Sequence, residues 1–318
     1  MKQDISVSDK LGDNYKYELS IGTHSGIFHE DDVVACALFC IMNPSKSIAI
    51  IRSRDLDELS KCDLLVDIGG GKYDHHQIGG NGKRENGIPY ASSGLFWKYN
   101  GKDIIRLLSI TNFSSVITDS EIEAIFTSFD NKIIQEIDKI DNGIPANITP
   151  MSFIASFLPN WRNSNTPLCY NTCFQSVLEI SISVLNQLLL TEIDKITSYY
   201  YILNQFKTNT SSKILEIPSQ TFPWLETITT INKEYNGNID FVIFKYPTGG
   251  WAAQSVPPSL EEKFKQRIPF PKKWAGQTNN LPKISGIADA IFCHNGLFFV
   301  RAKTKESVIA MCDIAIST

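Results

Sequence analysis

The sequence predicts an α/β protein: a parallel sheet covered by helices, followed by a smaller α+β domain. Three observations predict it. Short apolar runs alternate with helical patterns through the first 70 residues, the spacing of strand–helix–strand units. A long helical region follows. After "KILEIP" (213–218) the composition turns to strands rich in aromatic residues and prolines. At 318 residues the chain is long enough for two domains. The predicted division is a tail over 1–18, a domain over 19–206 and a second domain over 207–318.

The elements follow in order. "YELSIGTH" (17–24) reads as a strand and "DDVVACALFCIM" (31–42) as a helix opened by acids. "SIAIIRS" (47–53) is a strand, "DLDELSKC" (55–62) a short helix and "DLLVDIGG" (63–70) a strand ending in glycines. Helical patterns then run through "SSGLFWKYNG" (92–101), residues 120–144 and about 170–206. In the second domain "DFVIFKYP", "WAAQSVP", "DAIFCHNG" and "LFFVRAK" read as strands, and "KESVIAMCDIAI" as a closing helix. Ligands of parallel sheets bind outside the carboxyl ends of the strands. His24 and Asp67 stand at two such ends.

Composition excludes several classes. With 42% hydrophobic and 20% charged residues the chain is of ordinary globular type. No apolar run reaches the roughly 20 residues of a bilayer span, so no membrane partner is expected. The first eighteen residues mix both charges, unlike a signal or transit peptide, and read as a disordered tail without a targeting signal. Seven cysteines, an odd number without framework spacing, point to the cytoplasm or another reducing compartment. The pairs Cys36/Cys40 and Cys169/Cys173 read as core thiols. Residues 260–305 hold nine basic residues against three acidic ones. That local surplus on a chain of net charge −4 suits a polyanionic partner.

The chemistry gathers in four clusters. There are five histidines in all, and four of them lie beside aspartates. His24, His29, Asp31 and Asp32 run from a strand end into a helix start. The two acids alone would be satisfied as helix-start charges; the histidines would not. Asp67, before three glycines, is a turn former or a ligand. In "YDHHQ" (73–77), Asp74 can fix a histidine tautomer while another ring nitrogen meets a metal. Asp138 and Asp141 are three apart on one helix face, and by themselves read as a solvated helix end closed by "NG". Together, histidines and carboxylates with few thiolates suit manganese or magnesium better than structural zinc. Two such ions about 3.5–4 Å apart would generate hydroxide and steady an in-line phosphoryl displacement. Asp67 is the candidate to bridge them.

"GTHSGIFHEDDVVACAL", "VDIGGGKYDHHQ", "ASSGLFWKYNG", "EIDKIDNGI" and "FCHNGLFFVRAKTKESVIAM" stand in that order. In this the chain resembles the melanocyte-proliferating-gene family of DHH-like phosphoesterases over about residues 19–315. The resemblance implies a DHH-type catalytic domain and a manganese- or magnesium-dependent 3′-to-5′ RNA exonuclease acting in RNA processing. It implies metal ligands His24, His29, Asp31, Asp67, His75 and Asp141, with Asp138 as the alternative fourth-motif acid. Asp67, Asp74, His75 and His76 would carry catalysis, with His76 towards the substrate phosphate. His294, Arg301, Lys303 and Lys305 of the second domain would hold substrate phosphates. Of the aromatic residues Trp251, Trp274, Phe298 and Phe299, at least half are expected in the core of this small domain, and the rest are candidates to stack a terminal base.

Two departures from relatives stand out. Only Ile68 to Tyr73 separate Asp67 from the double-histidine motif, and bulky Phe299 and Val300 replace glycines. Manganese is the expected cofactor, two ions per chain, with magnesium the alternative. The expected partner is single-stranded RNA or a short oligonucleotide, and a homodimer is compatible with the sequence. Nucleus and mitochondrion enter as compartments through the resemblance. Two rival readings remain: a phosphoesterase for an oligonucleotide, cyclic dinucleotide or pyrophosphate, and a non-catalytic RNA-binding module.

Overall fold

A computed structural model of the chain describes residues 3–12, 16–113, 116–162 and 166–318. It forms two compact units, 1–193 and 194–318. The division is earlier than the 206/207 boundary drawn from sequence, and it falls inside one continuous helix.

The first unit is built on four parallel strands in the order β1-β3-β2-β4: β1 Ile5–Ser8, β2 Leu19–Thr23, β3 Ile48–Arg52 and β4 Leu64–Leu65. β1 corrects the expected tail. Ile5 and Val7 alternate with serines, and the segment adds to the edge of the sheet in register with Ile48–Ile51. A short, polar edge strand of this kind gives little hydrophobic signal in sequence. Residues 1–2 and 13–15 of the expected tail lie outside the described residues. β3 is buried along its whole length, as a strand covered on both faces must be.

Helix α1 (Glu30–Met42) follows β2, and α2 (Leu56–Leu59) follows β3. Helix α3 (Ser92–Phe113) packs on α1. Then α4 (Asp119–Phe129) runs through a π turn at Asp130–Ile134 into α5 (Gln135–Asp141). A Thr118/Glu121 capping box opens α4. The π turn inserts one residue, which rotates everything after it by about 100° relative to an uninterrupted α-helix.

Helix α6 (Pro167–Thr208) covers the helical stretch expected over about 170–206 and is, among the described residues, the one helix long and apolar enough by length and composition to cross a membrane. Its buried positions in the first unit, Phe174, Val177, Leu178, Ser181, Leu185 and Leu189, recur at three- and four-residue spacing. They form the one-sided stripe of a core helix.

The second unit has a mixed sheet in the order β5-β6-β7-β9-β8: β5 Ile214–Glu216, β6 Phe241–Lys245, β7 Trp251–Ser255, β8 Ala290–Cys293 and β9 Phe299–Ala302. β5 and β6 are parallel and the rest antiparallel. Helix α7 (Leu225–Glu234) packs with the end of α6 on one face, around Val242, Phe244 and Ala252. Helices α8 (Leu281–Ser285) and α9 (Lys305–Ser317) cover the other, around Phe241, Ile243 and Val300. Trp274 is fully buried in that second core, so it is not an aromatic available to a base. The predicted α/β unit with a parallel sheet and the smaller α+β unit after it are both observed.

Candidate metal centre

The chain brings five carboxylates and four histidines together at the carboxyl ends of β2 and β4. His24 follows β2 directly, and His29 is the N-cap of α1. Asp31 and Asp32 lie in the first turn of α1 and are fully buried. Asp67, two residues past β4, adopts a left-handed φ of 58°. For a buried non-glycine residue this is a sparsely populated conformation that costs on the order of 1–3 kcal/mol. It persists because both flanks are tied: Val66 N–H donates to the Gly22 carbonyl and Asp67 N–H to the Tyr73 carbonyl. The turn reverses the chain and returns Asp74, His75 and His76 beside Asp67.

Asp67 is the hub. One carboxylate oxygen lies 3.1 Å from His24 Nε2, and the other 3.2 Å from His75 Nδ1 and 3.3 Å from His76 Nδ1. His75 Nε2 reaches Asp141 at 2.8 Å. Three groups have donor atoms close enough to hold an ion: Asp67, Asp74, His75 and His76; His24, His29 and Asp67; and His29, Asp31 and Asp141. Asp67 and His29 are each shared between two groups.

The electrostatics favour cations. Burial pushes the Asp31 carboxyl well above its usual range, and the carboxylates of Asp67 and Asp141 push it further. Burial likewise takes Asp32 up to about 6, against the pull of His24. At Asp67 burial is outweighed by hydrogen bonds from His24 and His75, which hold the carboxyl well below the usual range. His75 shows the converse. Burial disfavours its cation, but Asp141 and Asp67 push its pKa up to about 10. His24 is raised too, with Asp67 and Asp32 overcoming burial. In the metal-free protein, protons on these rings therefore balance the carboxylates.

The donors fit a divalent ion on a further observation. Asp31 Oδ1 is a buried acceptor without a hydrogen-bond donor, whereas Asp32 Oδ2 has His24 Nε2 at 3.4 Å. Leaving a buried polar atom unsatisfied is costly, and a cation is the partner that the Asp31 oxygen lacks. The sets are oxygen and nitrogen without thiolate, unlike the cysteine-rich sites of structural zinc.

The rest of the shell comes from α3. Ser92 Oγ donates to Asp67 at 2.9 Å and lies 3.2 Å from His75 Nδ1, while Ser92 N–H donates to Asp31 at 3.2 Å. One and two residues on, Ser93 Oγ and Gly94 N–H donate to Asp138 Oδ1. The first turn of a long helix is a natural carboxylate site, and this one serves two. Asp138 also meets Arg84 at 2.8 Å, and Arg84 pairs with Asp130 of the π turn. Asp138 is thus committed to a support network, while Asp141, one turn later, faces His29, Asp31 and His75. Of the two acids that sequence left open, Asp141 is the one among the ligand candidates. Sequence reasoning also passed over Ser92 and Arg84. "ASSG" was a visible motif, but its hydroxyls carry no sign of their partners.

In the second unit His294 follows β8 and accepts Gly296 N–H on its own Nδ1. Arg301 lies over the Tyr246 ring at 3.8 Å and donates to the Gly249 carbonyl. Lys303 is exposed. Lys305 pairs with Glu216 at 2.5 Å, which leaves it less available to phosphate than its place in the sequence suggests. Val300 is buried and Phe299 packs against Phe244 and Tyr246.

The fold and site define the class as a two-unit α/β chain with an Asp- and His-lined candidate metal site at its parallel-strand ends. A family model described as MYG1_exonuc, uncharacterised protein family UPF0160, matches residues 20–316. The chain belongs to this MYG1 exonuclease family. It is 30% identical to the MYG1 protein of Dictyostelium discoideum, over 92% of this chain and 95% of that one. It is 29% identical to the MYG1 exonuclease of Mus musculus, over 93% of this chain and 84% of that one. Among solved structures, exonuclease RecJ bound to manganese aligns over 94% of this chain and 90% of that one, at 10% identity and a TM-score of 0.23, a likeness too slight to bear on the fold.

Proposed function

We propose that this protein is a metal-dependent 3′-to-5′ exoribonuclease that acts in RNA processing. The observation that carries the reading is the shared donor set, in which Asp67 and His29 each belong to two groups able to hold an ion. Family membership supports it, since relatives in mouse and human are named exonucleases. His24, His29, Asp31, Asp67, His75 and Asp141 would hold two divalent ions, manganese preferred. Such ions supply Lewis acidity that makes water nucleophilic near neutral pH and offsets charge on phosphoryl oxygens.

The residues themselves divide the remaining work. Ser92 orients Asp67 and His75. Asp74 accepts the His76 backbone N–H and lies 3.0 Å from His76 Nδ1, so a proton on Nδ1 would leave Nε2 as the free nitrogen. His76 is 61% exposed, which supports a role for its outer nitrogen at a phosphate or leaving oxygen. The basic residues of the second unit, Arg301 and Lys303 first, would contact phosphates without reading sequence. The described cysteines are all free, in keeping with action in a reducing compartment.

The test is manganese-dependent hydrolysis of 5′-labelled single-stranded RNAs of increasing length, with His75→Ala alongside. A ladder shortening from the 3′ end, absent in the variant, supports the reading. Cleavage confined to dinucleotides would replace it with a small-substrate phosphoesterase. Tight RNA binding without cleavage under any divalent metal would leave a binding module.

A further inference from the structure

A second surface on the first unit carries chemistry that the metal centre does not use. Lys72 Nζ stands 4.0 Å from the centre of the Tyr99 ring and 5.0 Å from that of Tyr73. Lys98 Nζ stands 5.3 Å from Tyr99 and 4.7 Å from Tyr90. The result is a continuous run, Lys72–Tyr99–Lys98–Tyr90, of alternating cations and rings. Tyr99 is 43% exposed, and both lysines are exposed. Neither lysine has a carboxylate within ion-pair distance among the described residues, whereas Lys46, Lys61, Lys102, Lys132 and Lys139 of the same unit each have one. Arg84, beneath Tyr90 at 4.4 Å, neutralises the two nearby acids, Asp130 and Asp138.

The place of this run matters as much as its composition. Tyr73 directly precedes Asp74, and its carbonyl accepts the Asp67 N–H. Tyr90 is two residues before Ser92. Both chain segments leaving the metal centre therefore run onto the surface, and Lys72 is three residues from His75, within about 11 Å along the backbone.

From this we infer that Lys72, Lys98 and Tyr99 form a strand-binding subsite for single-stranded RNA, outside the metal centre and engaged by nucleotides other than the one being cleaved. The identity of the strand as RNA rests on the nuclease reading. Exposed rings stack bases without regard to sequence, and unpaired cations between them follow the backbone phosphates. An exonuclease that shortens a strand one residue at a time needs such a sequence-tolerant hold. On engagement the lysines exchange ring faces for phosphates, which frees Tyr99 for a base.

The experiment compares wild type with Lys72→Gln/Lys98→Gln and with Tyr99→Ala. Binding of a fluorescent single-stranded RNA of roughly 12 nucleotides is followed over a salt series. Manganese-dependent hydrolysis of that RNA and of a dinucleotide is measured in parallel. The double variant should bind the RNA about tenfold more weakly, with the slope of log affinity against log salt reduced by about 1.4, two single-strand contacts. Tyr99→Ala should weaken binding roughly tenfold. Dinucleotide hydrolysis should stay at the wild-type rate in both. Variants that bind and cleave the long RNA like wild type would overturn the subsite. So would polyglutamate binding as tightly as RNA and losing the same affinity in the double variant, which would assign the surface to an acidic protein segment. Wild type that binds RNA through these residues but cleaves nothing would sink the nuclease reading and leave the subsite standing.

Discussion

Gly94→Ala gives the sharpest test of how the metal centre is supported. On an exposed helical position this change stabilises by about 0.5–1 kcal/mol. Here the sign reverses. A Cβ on Gly94 would lie 1.8 Å from Asp138 Oδ2 and 2.7 Å from its Cγ. Asp138 is fully buried and held by Ser93, Gly94 N–H and Arg84, so it has no room to give way. Turning it aside breaks a buried ion pair, a loss of about 3–5 kcal/mol. For a unit of this size that corresponds to a melting temperature lower by roughly 6–20 °C. Gly71→Ala is the control, because nothing lies within 4 Å of its Cβ, and it should melt within about 0.5 kcal/mol of wild type. Asp138 and Asp141 share one turn of α5, so manganese affinity should fall together with stability in Gly94→Ala. A Gly94→Ala protein that melts like wild type would refute the tether.

Three further outcomes follow from the same geometry. Ser92→Ala removes the hydroxyl that orients Asp67 and His75 and should lower manganese affinity about 10–100-fold, read by calorimetry, with little change in melting. Manganese binding near neutral pH should release protons, because His75 is raised to about 10 in the metal-free protein; titration in buffers of different ionisation enthalpy measures the number, and affinity should rise with pH. In the metal-free protein that same raised pKa stabilises the fold fully below pH 6.5, the ring's ordinary pKa, and the contribution is lost as pH rises through about 10. Melting curves should therefore show wild type's advantage over His75→Gln shrinking across that range.

Much of this was legible in the residues, and the parts that were not share a cause. Strand–helix alternation and scarce histidine beside aspartate point to the sheet edge where His24, Asp67 and His75 meet. Partner choice is less visible. Asp138 and Asp141 sit on one helix face by spacing, but their separate roles depend on Arg84 and on the α3 N-terminus, 44 residues or more away in sequence. The π turn, which sets the rotation of α5, leaves no periodic mark in "SFDNKIIQEIDKID". β1 is four residues of mixed polarity whose strand character comes from pairing with β3, and which of the second domain's aromatics belong to its core is visible only once α8 and α9 are placed around Trp274. Local pattern reports the element, and tertiary pairing decides what each side chain serves.

The central claim is that the Asp67-centred cluster binds catalytic divalent ions. Calorimetric titration of manganese into metal-stripped wild type and Asp67→Asn, followed by an RNA cleavage assay on the same samples, tests it most directly. The account predicts saturable binding by wild type, binding severely weakened in the variant, and cleavage that tracks occupancy. Equal binding by both proteins, or cleavage that persists in the stripped wild type, would contradict it.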